Sequence, residues 1–171
     1  VTITGAGPGQ TILQGPALGE GPTLTGDSII SDLTIVNRSS TYSLVFGADS
    51  NRVRNVEFTS IPGAAGGDLV YAVGSSTTAL IENCVFQSSE RALRVNGATT
   101  LVSNTIFRDL GRVDDVSFSN MVAYTNCIFT RLGPGPILSA ASSQISNSIF
   151  HNNSGSLPAQ VAISYSLLPQ A

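Results

Sequence analysis

Ile81-Glu-Asn-Cys-Val-Phe86 decides the fold, because the chain says nearly the same thing seven times. The other versions are Ile30-Ser-Asp-Leu-Thr-Ile35, Val53-Arg-Asn-Val-Glu-Phe58, Val102-Ser-Asn-Thr-Ile-Phe107, Tyr124-Thr-Asn-Cys-Ile-Phe129, Ile145-Ser-Asn-Ser-Ile-Phe150 and Ile163-Ser-Tyr-Ser-Leu-Leu168. Successive starts fall 23, 28, 21, 22, 21 and 18 residues apart. A near-constant period with variable filler marks a solenoid whose loops absorb insertions. The phrases are short, β-branched and separated by Gly-, Pro- and Ser-rich stretches, so they predict strands rather than helical repeats. Apolar residues occupy positions one, four and six of the phrase. Positions one and four can share an inward face only if the chain bends between them. Asn at position three supplies that bend, since it tolerates left-handed backbone better than other non-glycine residues.

A further strand is expected before each phrase, at Leu44-Val-Phe46, Leu69-Val-Tyr71, Leu93-Arg-Val95, Val116-Ser-Phe118 and Ile137-Leu-Ser139. Short strands in every turn of about 22 residues describe a parallel β-helix, an all-β solenoid of about seven or eight coils filling residues 1–171 as one domain. Stacking coils about 4.8 Å apart turns each phrase position into a ladder. Position three gives Asn55, Asn83, Asn104, Asn126 and Asn147, whose amides can hydrogen-bond along the axis. Position six gives Phe58, Phe86, Phe107, Phe129 and Phe150, rings spaced for offset stacking. Position four is small and holds both cysteines, Cys84 and Cys127. With Thr105 between them they stand roughly 9 to 10 Å apart, beyond the roughly 7 Å a disulfide can span. Both are expected as buried free thiols.

Position five points outward and reads Val85, Ile106, Ile128, Ile149 and Leu167 on consecutive coils, while position two on the same coils is polar. A contiguous outward apolar stripe predicts an interface, unless a loop such as 62–67 or 133–136 lies across it. The ends lack an evident capping helix or charged capping turn, which predicts either a segment of a longer β-helix or end-to-end stacking of copies.

Composition narrows the function. Charged residues are 11% of the chain, all eight basic residues are arginine, and the net charge is -3. Without grouped basic residues nucleic-acid binding is excluded as an expectation. No apolar run reaches the roughly 18 residues of a membrane span.

The phrase resembles the right-handed parallel β-helix repeat of the pectin-lyase-like superfamily. Val1-Thr-Ile-Thr-Gly-Ala-Gly-Pro-Gly-Gln-Thr-Ile-Leu-Gln-Gly15 is similar to a first coil common in that group. Phe58 followed by Gly66-Gly-Asp-Leu-Val-Tyr71 resembles the pattern of bacterial polymorphic outer-membrane proteins. The closing Ile163-Ser-Tyr-Ser-Leu-Leu168 resembles late coils of secreted bacterial surface β-helix proteins. The resemblance implies a secreted, extracellular or cell-surface protein. Its enzymatic members cleave polysaccharides, but the polygalacturonase-like and pectin-methylesterase-like motif sets are absent: there is no Lys, no Trp and one His. A pectate-lyase-like site asks for carboxylates holding Ca²⁺ and an Arg base. Arg108, Asp109, Arg112, Asp114 and Asp115, expected in one long loop, with Glu90 and Arg91 a coil below and Arg131 a coil above, are the residues that could supply it. The competing reading is a surface salt-bridge network in which Asp109 faces Arg131. His151 falls in a polar outward ladder with Thr59, Gln87, Arg108 and Thr130. The expectation is a non-catalytic structural or adhesive solenoid without a cofactor, partnered by itself or by neighbouring domains. The alternative is a polysaccharide lyase, hydrolase or carbohydrate-binding module using the 109–115 loop, with Ca²⁺ needed only there.

Overall fold

In a computed structural model, which describes residues 1–15, 20–38, 41–61, 67–117, 121–139 and 143–167, the phrases wind into a three-sided parallel solenoid. The first coil is β1 (Thr2–Thr4), β2 (Ile12–Gln14) and β3 (Thr23–Leu24). In the second, β4 (Ser28–Asn37) bends to supply two sides and β5 (Tyr42–Phe46) the third. The third repeats this with β6 (Ser50–Ser60) and β7 (Asp68–Val73). The fourth and fifth shift the break: β8 (Thr78–Glu82) precedes a two-sided β9 (Val85–Asn96), and β10 (Thr99–Ser103) a two-sided β11 (Ile106–Ser117). The sixth has β12 (Val122–Thr125) and β13 (Ile128–Thr130), the seventh β14 (Ser143–Ser146) and β15 (Ile149–His151), and β16 (Ala162–Ser164) follows. Among the described residues each strand pairs in parallel with its counterpart one coil away, and no helix is long and apolar enough to cross a membrane.

The expected seven or eight coils become about six full turns. Five coils have a strand on every side, and the sixth closes only through an isolated bridge at Pro136. Counting phrases overstates the turns because a phrase builds only two sides of the triangle. Ile137-Leu-Ser139, expected as a strand, is not one. Pro134 and Pro136, just before it on the same side, remove two N–H donors that a strand ladder there cannot spare. Phe118 of the neighbouring expected strand, Leu168 of the last phrase and residues 62–66 of a candidate covering loop lie outside the described residues.

Positions one, four and six all point inward, as the bend requires. In the phrase from Ile81 to Phe86 the three inward side chains are Ile81, Cys84 and Phe86, and all are buried. The five phenylalanines form one column, with ring centroids 4.7, 5.2, 5.3 and 4.4 Å apart and nearly parallel planes. Position three is left-handed in every phrase, from Asp32 at φ 60° through Asn55, Asn83, Asn104 and Asn126 to Asn147 at 48°. The Asn side chains themselves lie exposed, with amide bonds from Asn55 to Asp32 (2.7 Å) and from Asn126 to Asn104 (3.2 Å). Their contribution is conformational first. A second left-handed corner, between sides two and three, runs through Ser88, Asp109, Arg131 and Asn152 at φ 52–56°.

Position four answers a problem that the first corner creates. The position-three amide still reaches the next coil's backbone (Asn104 to Thr125, 3.0 Å), and the position-five amide reaches the previous coil's (Ile106 to Cys84, 3.0 Å). The position-four amide between them turns to a side chain of the next coil. Cys84 N–H donates to Thr105 Oγ1 (3.3 Å), Cys127 N–H to Ser148 Oγ (3.1 Å) and Ser148 N–H to Ser166 Oγ (3.2 Å). Each of these hydroxyls donates in turn to the carbonyl two residues earlier, at 2.8 Å. The thiols of Cys84 and Cys127 hold the same place, donating to Glu82 O and Thr125 O. Both cysteines are free and buried, and burial pushes their thiols up to about 12 and about 11.

Candidate functional site

The 108–115 stretch is strand, not loop: it belongs to β11, which turns the second corner at Asp109 without losing its pairing to β9. A strand sends neighbouring side chains to opposite faces, so the six expected ligand-binding residues are dispersed. Arg108 faces out on side two, where its Nε donates to Gln87 Oε1 (2.6 Å) and Gln87 Nε2 donates to Glu57 Oε1 (2.5 Å). Asp109 and Arg131 meet at the corner as an exposed bidentate pair, at 2.6 and 2.7 Å. That pairing matches the ladder position expected for them, and the bond from Arg131 holds the Asp109 carboxyl below its ordinary value.

Asp114 is where the surface reading fails. It is fully buried, in register with Leu93, which pairs with Val70 and through it Leu44. The quoted third-side segments are out of step with one another: Leu44 pairs with Val70 rather than Leu69, and Leu93 with Asp114 rather than Val116. The carboxylate sits inside an apolar row. There Asp114 accepts from Tyr124 OH (2.6 Å), the Ser139 N–H (2.5 Å) and Ser143 Oγ (3.3 Å). Burial pushes it up to about 6 against those three donors. With Asp109 at a corner, Asp114 inside and Asp115 outside, the carboxylates of the 109–115 stretch do not converge on one cation. Among the described residues no three His, Cys, Asp or Glu side chains group as a metal site would need.

Arg112 and Asp115 do come together, with Arg91 of the coil below, as expected, and with side-three residues outside the expected set. On the outer face of side three, Arg91 lies 2.9 Å from Asp68 and 3.3 Å from Asp115, and Arg112 lies 3.8 Å from Asp115. Beside them Tyr42 and Tyr71 stack with centroids 4.5 Å apart. Arg94 lies 5.9 Å from the Tyr71 ring centre and donates to Tyr42 OH (3.2 Å), and Asn96 donates to Tyr71 OH (3.3 Å). Asp68 is buried enough that desolvation raises its pKa in spite of Arg91 and Arg94. Burial likewise raises the Tyr42 hydroxyl, with Arg94 opposing. The signal was present: Tyr71, Arg94 and Asp115 are consecutive rungs of one outward row. Reading it needed the third-side register, which no repeated phrase supplies.

The position-five residues stand in one unbroken ladder, Val85, Ile106, Ile128, Ile149 and Leu167 in successive register. Val85 and Ile106 are half-buried; exposure then climbs through 38% at Ile128 and 42% at Ile149 to 66% at Leu167. Residues 133–136 do not cover this stripe, since they form the third side of coil six, where Gly133 N–H donates to Leu110 O (2.7 Å). His151 is exposed in register with Thr130, as the polar ladder implied.

No curated protein and no solved structure matches this chain. Residues 26–166 match the family described as Right handed beta helix region, a stretch that runs from just before the first phrase into the last. Parallel coils, two left-handed corners and that match together establish that the chain belongs to the right-handed β-helix family.

Proposed function

We propose that this protein is a non-catalytic β-solenoid that works by lateral association, as a structural or adhesive component of a bacterial cell exterior. The observation that carries the reading is the position-five ladder. A flat row of aliphatic side chains, one per coil, offers another regular surface a repeated apolar contact, and burying it removes from water area worth about 25 cal/mol per Å². A second copy of the chain is the simplest partner, because it presents the same rung spacing. The test is the double variant Ile128→Asp with Ile149→Asp, compared with the wild type by sedimentation velocity over a wide concentration range. Concentration-dependent association in the wild type, lost in the variant while the β-sheet circular dichroism stays unchanged, is the expected result. Equal association in both, or a wild type that stays monomeric at every concentration, overturns it.

The side-three cluster favours a second reading, saccharide binding. Stacked tyrosines offer a face to sugar C–H groups, and Arg94, Asn96 and Asp115 offer donors and acceptors at its edge. Binding of acidic and neutral polysaccharides in a glycan array, weakened at least tenfold by Tyr71→Ala, would support it. Absence of binding to every glycan by the wild type would remove it.

A further inference from the structure

Side one carries a trough over the same coils on which side two carries its aliphatic stripe. Strands β8, β10, β12 and β14 pair in register, so their outward side chains form rows along the axis. One row reads Leu80, Leu101 and Ala123, and the row nearer the Asn corner reads Ser103, Thr125 and Ser146. Two depressions lie between these rows and share Ala123 and Thr125, so they join into one trough from Leu80 to Ser164. Its floor is backbone, because Val102, Tyr124 and Ile145 turn their side chains into the core. The stripe from Val85 to Leu167 covers the same span of phrases. One coil earlier both faces become charged. Arg52 and Arg54 continue the two rows of side one, and Glu57 continues the stripe. Arg52 lies 3.5 Å from Glu82, whereas Arg54 is exposed and has no ion pair among the described residues. Glu57 accepts from Thr34 and Gln87, and no described cation pairs with it. We infer that the stripe docks into the side-one trough of a second copy, lying parallel to the first and level with it.

This contact presupposes the lateral association proposed above and names the face that receives the stripe. In the level register Glu57 falls between Arg52 and Arg54 of the second copy, an ion pair that neither residue has in the single chain. Ile106 then lies between Leu101 and Ser103, and Ile128 between Ala123 and Thr125, one row of branched side chains between two. Pairing stripe to stripe answers the charges less well. A two-fold axis parallel to the solenoids sets Glu57 against Glu57, and a perpendicular one through the aliphatic rungs sets it against one of them; both leave Arg54 outside. Because sides one and two are different surfaces, the contact is heterologous, and each copy that docks still offers a free face to the next. Both sides meet at the left-handed Asn corner. Successive copies therefore turn that corner towards a common axis, and the series closes as a ring of more than two.

Sedimentation velocity of mixed variants of the full chain tests this. Ala123→Arg fills the trough at an outward position whose own row already carries Arg52. Ile128→Asp with Ile149→Asp blocks the stripe and leaves the trough intact. The wild type should form species larger than a dimer, and each variant alone should be monomeric with unchanged β-sheet circular dichroism. Mixed in equal amounts, the two variants should give a dimer and nothing larger, since one intact stripe meets one intact trough. Ala123→Arg that associates as the wild type does overturns the trough and leaves association through the stripe standing. A mixture that stays monomeric overturns the trough as well, and a monomeric wild type overturns both. Arg54→Glu, which sets two carboxylates against each other, should weaken association of the otherwise wild-type chain by about tenfold or more. It decides the matter alone if Ala123→Arg does not fold, and an unchanged association constant there overturns the contact.

Discussion

Cys84, Thr105, Cys127, Ser148 and Ser166 look interchangeable by size, but the shared property is an atom that both accepts and donates. A corner residue in left-handed backbone turns the following N–H away from the ladder, and a buried donor left unmet costs about 1–3 kcal/mol. Thr105→Val keeps the shape and deletes the acceptor for the Cys84 amide. It should lower stability by about 1–3 kcal/mol, whereas Thr105→Ser should cost about 1 kcal/mol for its missing methyl. Urea midpoints for the two variants separate the cases, and a Val variant as stable as the Ser variant would show that the hydroxyl is dispensable. In the sequence this position reads as small and buried, which is right as far as it goes. The hydrogen-bonding role was hidden because cysteine, threonine and serine share no obvious chemistry until the corner's orphan amide is located.

The elements of sides one and two were legible because each phrase carries its own punctuation. Ile, Asn and Phe at fixed offsets specify two strands, the bend between them and the face each presents. The bend can be tested directly. Asn126 sits at φ 55°, a region in which a β-branched side chain pays about 1–2 kcal/mol and glycine nothing. Asn126→Val should therefore lower the thermal midpoint by several degrees, and Asn126→Gly should leave it nearly unchanged. Equal losses in both variants would shift the credit from backbone conformation to the Asn126–Asn104 amide bond. The second corner was not legible, since Ser88, Asp109, Arg131 and Asn152 share no residue type. Arg131 tolerates the conformation beside its paired Asp109, so an apparent surface salt bridge marks a turn.

For the whole molecule, the period announced a parallel solenoid correctly and overcounted its turns, because a phrase marks only two of a coil's three sides. The candidate site was the least legible part. Side three has no phrase to set its register, so the sequence groups Asp114 with Asp115 although the two point to opposite faces, and Arg91, expected a coil below the cluster, gives no hint of Tyr42, Asp68 and Tyr71 beside it. The stripe, built on the phrase itself, was read correctly as a ladder. One feature of that phrase also gives the molecule a direction. The position-four amides of Cys84, Cys127 and Ser148 are each completed by a side chain of the coil that follows, never by one of their own coil. A coil is therefore chemically unfinished until its successor is laid down, and construction has a polarity that agrees with the order in which a ribosome delivers the chain. The same asymmetry makes the coil the natural unit of inheritance: a duplicated repeat arrives with the acceptor its neighbour lacks, whereas an insertion of half a repeat strands an amide in the core.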